Sequence, residues 1–140
     1  DGDIEKQLPY SITEAYDYIC KHKCKKLSSM VRKYFSGPCM KLIPMNFIHD
    51  RRYDVRFKNG EDSLFMFLIS DKIKKVAFTS KDAIYYRRYR DNSAYTRVKT
   101  KREIIANKMN MIKAYISIYL RKPQKYSLLF FITRLLGTLR

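Results

Sequence analysis

A mixed α/β fold, in which a few-stranded sheet is flanked by helices and followed by a C-terminal helical pair, is the class this sequence predicts. Three observations carry that expectation. Tyr53, Val55 and Phe57 alternate with the period of a strand. Lys58-Asn59-Gly60 is turn chemistry, after which Leu64, Phe65, Phe67, Leu68 and Ile69 recur at helical spacing, so the chain changes period at Gly60. Farther on, Ile73, Val76 and Phe78, and then the run from Ala83 to Tyr89, have the β-branched and aromatic content of two more strands.

Composition bounds what such a chain can be. With 140 residues, of which 46% are hydrophobic and 14% aromatic, it can bury one core and is not a disordered polymer. Its charge is uneven: residues 1–71 hold 12 basic and 10 acidic side chains, residues 72–140 hold 18 and 3. That asymmetry points to an anionic partner for the second half, whether phosphate, nucleic acid or lipid headgroup. Three cysteines, an odd number, without a secretory leader lead to an expectation of reduced thiols and a cytoplasmic setting. No apolar run reaches the ~18–20 residues of a membrane span.

Taken in order, residues 1–35 read as a polar lead-in followed by an amphipathic helix. Ser11-Ile12-Thr13-Glu14 has the form of a capping box, and apolar residues from Ile12 through Ile19, Leu27 and Val31 to Tyr34 keep helical spacing. Cys20, His22 and Cys24 raise the question of a metal. On a helix Cys20 and Cys24 share a face while His22 is turned about 200° away, so buried thiols are expected in preference to a zinc site completed by Cys39. Gly37-Pro38 ends the helix, Met40 to Ile43 is expected as a short strand, and Asn46 to Asp50 as a brief helix with His49 at the surface.

Residues 36–98 form the middle unit. There Glu61 and Asp62 fall in the first turn of the helix that follows Gly60, where the helix dipole favours their ionised forms. The pair reads as a simple helix-start feature or as a base that takes a proton from a hydroxyl. In the strand expected from Ala83 to Tyr89, Tyr85, Arg87 and Tyr89 share one face, with Tyr86, Arg88 and Arg90 on the other. One arginine row then meets a diphosphate, or the whole is a charged edge strand guarded against aggregation.

Residues 99–140 are expected as basic amphipathic helices. The first starts near Lys99, carries Ile105, Met109, Ile112, Ile116 and Tyr119 on one face, and ends at Pro123. The second covers Gln124 to Arg140, with an apolar run from Leu128 to Ile132 and Arg121, Lys122, Lys125, Arg134 and Arg140 around it. This is the pattern of a helix lying in a membrane interface, or of one packed on the domain, and the two are compatible.

Gly60-Glu61-Asp62-x-x-Phe65, preceded by Phe57, resembles the strand-turn-helix motif of bacterial family 2 glycosyltransferases of the GT-A type. Upstream, Gly37-Pro38-Cys39-Met40-Lys41-Leu42-Ile43, followed by Phe47, resembles the segment that leads into that family's acceptor-side helix. Downstream, Tyr85-Tyr86-Arg87-Arg88-Tyr89-Arg90-Asp91-Asn92-Ser93 resembles its tyrosine-arginine strand and Ser-containing loop. The likeness runs from about Gly37 to the C-terminus.

The resemblance implies an incomplete GT-A fold and an inverting transfer of sugar from a nucleotide-sugar donor to a glycan or lipid-linked acceptor, as in polysaccharide biosynthesis. It makes Asp62 the general base, assigns Glu61 and Lys41 to the acceptor, and assigns Arg87, Arg88 and Ser93 to the diphosphate. It also implies a divalent metal, manganese or magnesium, held mainly by an Asp-x-Asp motif in a nucleotide-binding half that these residues lack. Asp1-Gly2-Asp3 has the letters of that motif without the apolar strand before it. The segment alone is therefore expected to be inactive, and the intact enzyme to be cytoplasmic or peripheral at the inner face of the plasma membrane, with homo-oligomerisation open.

Two non-catalytic readings stand beside this one. Basic residues interleaved with tyrosines at 85–90 and 95–97 suit single-stranded nucleic acid, although no motif for sequence-specific binding is present. A membrane-surface adaptor led by the last helix is the other.

Overall fold

The computed structural model describes residues 11–22, 31–32, 35–80, 82–86 and 99–140. The expected diphosphate residues Arg87, Arg88 and Ser93, together with Cys24, lie outside the described residues. Five α-helices are present among them: α1 Ser11–His22, α2 Met45–Ile48, α3 Glu61–Ile69, α4 Lys101–Arg121 and α5 Leu128–Leu139. Short 3₁₀ turns at Ser70–Lys72 and Pro123–Lys125 follow α3 and α4.

The architecture is helical, and this overturns the mixed α/β, GT-A type expectation. Among the described residues a single bridge position at Lys75 is all that stands for a sheet. Met40 to Ile43, Tyr53 to Phe57, Ile73 to Phe78 and Ala83 to Tyr86 run without a ladder. The reason is visible at Tyr53 to Phe57. A strand would put Tyr53, Val55 and Phe57 on one face, yet Val55 is 92% exposed while Phe57 is buried. Asp54 accepts from the Arg56 backbone N–H at 3.1 Å and from its guanidinium at 2.6 and 2.9 Å, and the Phe57 N–H donates to the Asp54 carbonyl. A local aspartate turn has taken the backbone that a strand would need.

The helices start and stop for identifiable reasons. Thr100 caps α4 in a full capping box: its hydroxyl accepts from the Glu103 N–H while the Glu103 carboxylate accepts from the Thr100 N–H. Ser127 caps α5 by accepting from the Phe130 N–H at 3.3 Å. Pro123 cannot continue α4 and opens the 3₁₀ turn instead.

α4 and α5 form an antiparallel hairpin. Tyr119 stacks on Phe131 with centroids 4.2 Å apart near its turn, and Lys108 Nζ donates to the Leu139 carbonyl at the far end. α3 packs against this pair, so the C-terminal helices enclose the middle unit's helix and do not stand apart as a separate flank. Phe67 is fully buried at the centre, within 5.2 to 6.2 Å of the rings of Tyr115, Tyr126, Phe130 and Phe131. Its burial contributes about 1.5–3 kcal/mol, with further gain from edge-to-face rings. α4 buries Met111, Ala114 and Tyr115 and leaves much of the predicted Ile105–Met109–Ile116 face outside.

Cys20 is also a correction. It was expected on a core face, yet it is exposed, because Ile19 is the buried residue of that turn of α1.

Candidate functional site

Gly60 makes the site possible. Its φ of 86° is left-handed, which glycine adopts without penalty, and a Cβ there would lie 2.9 Å from Met111 Cε. The chain turns sharply at this residue, and the Leu64 N–H then donates to the Gly60 carbonyl to begin α3. Glu61 and Asp62 occupy the first turn, as the sequence predicts, and no side chain caps the helix.

The two carboxylates differ in surroundings. Glu61 Oε2 is buried without a hydrogen-bond partner among the described residues. Asp62 is half-buried, and its pKa is raised above the ordinary aspartate value, first by desolvation and then by the neighbouring Glu61 charge. Desolvation thus works against the stabilisation that the helix dipole offers. Tyr53 lies over the same end, its ring stacked on Phe65 at 4.2 Å. Burial pushes its hydroxyl pKa up, helped by the charges of Asp62, Cys39 and Glu61.

Lys41 stands beside Cys39. Its ammonium donates to the Cys39 carbonyl at 3.3 Å, and its pKa is lowered by burial; Arg134 lowers it further while Cys39 opposes the shift. Arg134 lies across the Phe130 ring at 4.7 Å, donates to the Arg32 carbonyl at 2.7 Å and reaches Ser63 Oγ at 3.4 Å. Arg32 in turn donates to Ser127 Oγ at 2.8 Å, and its Nε is buried without a partner. Burial lowers the pKa of both arginines. None of these three cations is paired with a carboxylate among the described residues.

Two cavities of about 270 Å³ flank α3. One is lined by Asn59, Ser63, Lys108, Tyr115 and Arg134, with no carboxylate among the described residues. The other carries Arg52, Asp54, Arg56 and Arg121 over Leu64 and Phe65. Asp62 and Glu61 line neither. Asp62, Cys39 and Glu61 thus act on Tyr53, and Cys39 and Arg134 act on Lys41, while Asp62 has no enclosed pocket among the described residues.

Among the described residues no three His, Cys, Asp or Glu side chains converge, and His22 Nδ1 is engaged with the Tyr18 carbonyl at 2.8 Å. Compared with family models, curated proteins and solved structures, the chain matches none.

Tyr53, Arg32 and Arg134 were not singled out in this role from the sequence. Arg134 had a usable signal. It stands four residues after Phe130 inside an apolar helix, and so on the face that Phe130 buries.

Proposed function

We propose that this chain is the acceptor-side segment of an inverting glycosyltransferase in which Asp62 is the general base. The reading is supported above all by one observation: left-handed Gly60 opens α3 with Glu61 and Asp62 in its first turn, and desolvation raises the Asp62 pKa. A carboxylate with a raised pKa is a stronger base, closer to the pH at which it works. In the proposed reaction Asp62 takes the proton of an acceptor hydroxyl as that oxygen forms a bond to the anomeric carbon of a nucleotide sugar. The bond from that carbon to the diphosphate breaks on the opposite face, and its electron pair leaves with the diphosphate.

In this reading Glu61 and Lys41 orient a glycan or lipid-linked acceptor, and Arg87, Arg88 and Ser93 meet the leaving diphosphate. Lys41 suits a hydroxyl or phosphate ligand because its ammonium is partly desolvated, with no carboxylate paired to it among the described residues. In this reading the nucleotide-binding half, with any manganese or magnesium, is supplied by residues outside these 140. The setting is a cytoplasmic membrane surface, where lipid-linked acceptors lie.

The test is release of nucleoside diphosphate by the longer protein that carries these residues, measured over a panel of sugar donors and lipid-linked acceptors. The expected result is acceptor-dependent release that Asp62→Asn reduces by about 10²–10⁴-fold. The residual kcat/KM should lose the acidic limb that wild type shows where Asp62 becomes protonated. Full activity in Asp62→Asn would overturn the assignment.

A further inference from the structure

The α4–α5 hairpin carries apolar stripes on its outer side as well as on its inner one. On α4 the exposed residues Ile105, Met109, Ile116 and Leu120 fall within about 60° of arc at ~100° per residue. On α5, Leu128, Leu129, Ile132, Leu136 and Leu139 fall within about 100°. Each stripe lies roughly opposite the side chains its helix sends into the core, Met111 and Ala114 on α4 and Phe130 on α5. Because the two helices lie side by side over one core, both stripes face outward in the same direction. Leu120 is 67% exposed, Ile105 62%, Leu139 59% and Leu136 56%.

Charge decides what suits this face. Residues 104–140 contain no Asp or Glu. Arg102 and Lys113 border the α4 stripe, Arg140 borders the α5 stripe, and Arg121, Lys122 and Lys125 line the connection; all six are exposed. Long basic side chains around an aliphatic surface let the stems stay in an apolar layer while the charges reach anionic headgroups. No described helix is long and apolar enough to cross a membrane, so the arrangement is that of a surface-lying pair.

We infer that the outer face of the α4–α5 hairpin is a docking surface for an anionic lipid bilayer, with the aliphatic stripes of both helices sunk into the interface and the basic rim on the headgroups. It stands independently of the glycosyltransferase reading.

The chain has no tryptophan, so single reporters are clean. The full chain carrying Leu136→Trp, Ile116→Trp or, as a control off the face, Ser80→Trp would be titrated with vesicles of phosphatidylcholine alone or with phosphatidylglycerol. The expected result is a blue shift and quenching by brominated lipid at positions 136 and 116, and none at 80, with binding at least tenfold stronger to the anionic vesicles. In a flotation assay Leu129→Glu combined with Leu136→Glu should lower binding by at least tenfold with an unchanged circular dichroism spectrum. Binding that survives those substitutions would reduce the effect to the net charge of +17 and overturn the proposal. So would equal binding to neutral vesicles. Self-association that buries the two reporters without vesicles would assign the face to a second copy instead, and would also overturn it.

Discussion

The two faces of the α4–α5 hairpin are both apolar, and only one of them is a core. The inner face is aromatic and interlocked: Tyr115, Phe130 and Phe131 close on Phe67 of α3, and Ser63 and Tyr115 share a hydrogen bond of 2.7 Å. The outer face is aliphatic and meets no such partner among the described residues. Hydrophobic period alone cannot tell these faces apart, since both recur at helical spacing. What separates them is shape. Rings pack edge to face within 5 to 7 Å and fix one arrangement, whereas a leucine and isoleucine surface is indifferent to the order of what covers it.

Substitutions should divide sharply along that line. Phe67→Ala removes the ring at the centre of the inner face and is expected to cost about 3–5 kcal/mol in denaturant unfolding. A loss under about 1 kcal/mol would show that the aromatic cluster does not hold the fold. Gly60→Ala acts at the edge of the same core. It forces a side chain into a left-handed conformation and against Met111, and should cost about 1–2 kcal/mol, moderated because Met111 Cε is the end of a flexible chain. Leu136→Glu, on the outer face, should change stability by less than about 0.5 kcal/mol while weakening vesicle binding. A large loss of stability there would mean that the outer stripe is already covered.

Asp62→Asn should have the smallest effect, and it has a definite sign. The folded pKa of Asp62 is raised, so the native state binds its proton more tightly than the unfolded chain does. Its contribution to stability is present at low pH and is lost as pH rises through the folded pKa. Asn resembles the protonated form, so the variant should melt slightly above wild type near neutral pH, and the difference should vanish on acidification. The opposite order would mean that Asp62 is a stabilising helix-start residue and not a base held at some cost to the fold.

The helices were legible in the sequence, although the last begins at Leu128 behind its Ser127 cap and not at Gln124, and the strands were not. The turn at Gly60, the start at Glu61, the stop at Pro123 and the last amphipathic segment each follow from local rules: left-handed glycine, a missing N–H, and period. The Thr100–Glu103 capping box that fixes the α4 start was not read from the sequence, which placed that start only near Lys99. Strands depend on a partner that no local rule supplies, and at Tyr53 to Phe57 the Asp54 turn wins instead. Of the candidate site, Glu61 and Asp62 were readable from their place after Gly60. Arg32 was not, because its role comes from Ser127 and Arg134, nearly a hundred residues away in sequence.

Arg51 and Asp71 form a two-pronged ion pair at 2.5 and 2.8 Å, and Arg51 also donates to the Leu68 carbonyl. This pair joins the residue that precedes the Tyr53 loop to the residue just beyond α3, enclosing Tyr53, Gly60, Glu61 and Asp62 between its ends. The segment that carries the acidic turn is therefore closed at the opposite end of its own helix. In native-state amide exchange, residues 51 to 71 should open as one cooperative unit, and Asp71→Asn should lower the protection of that unit as a whole.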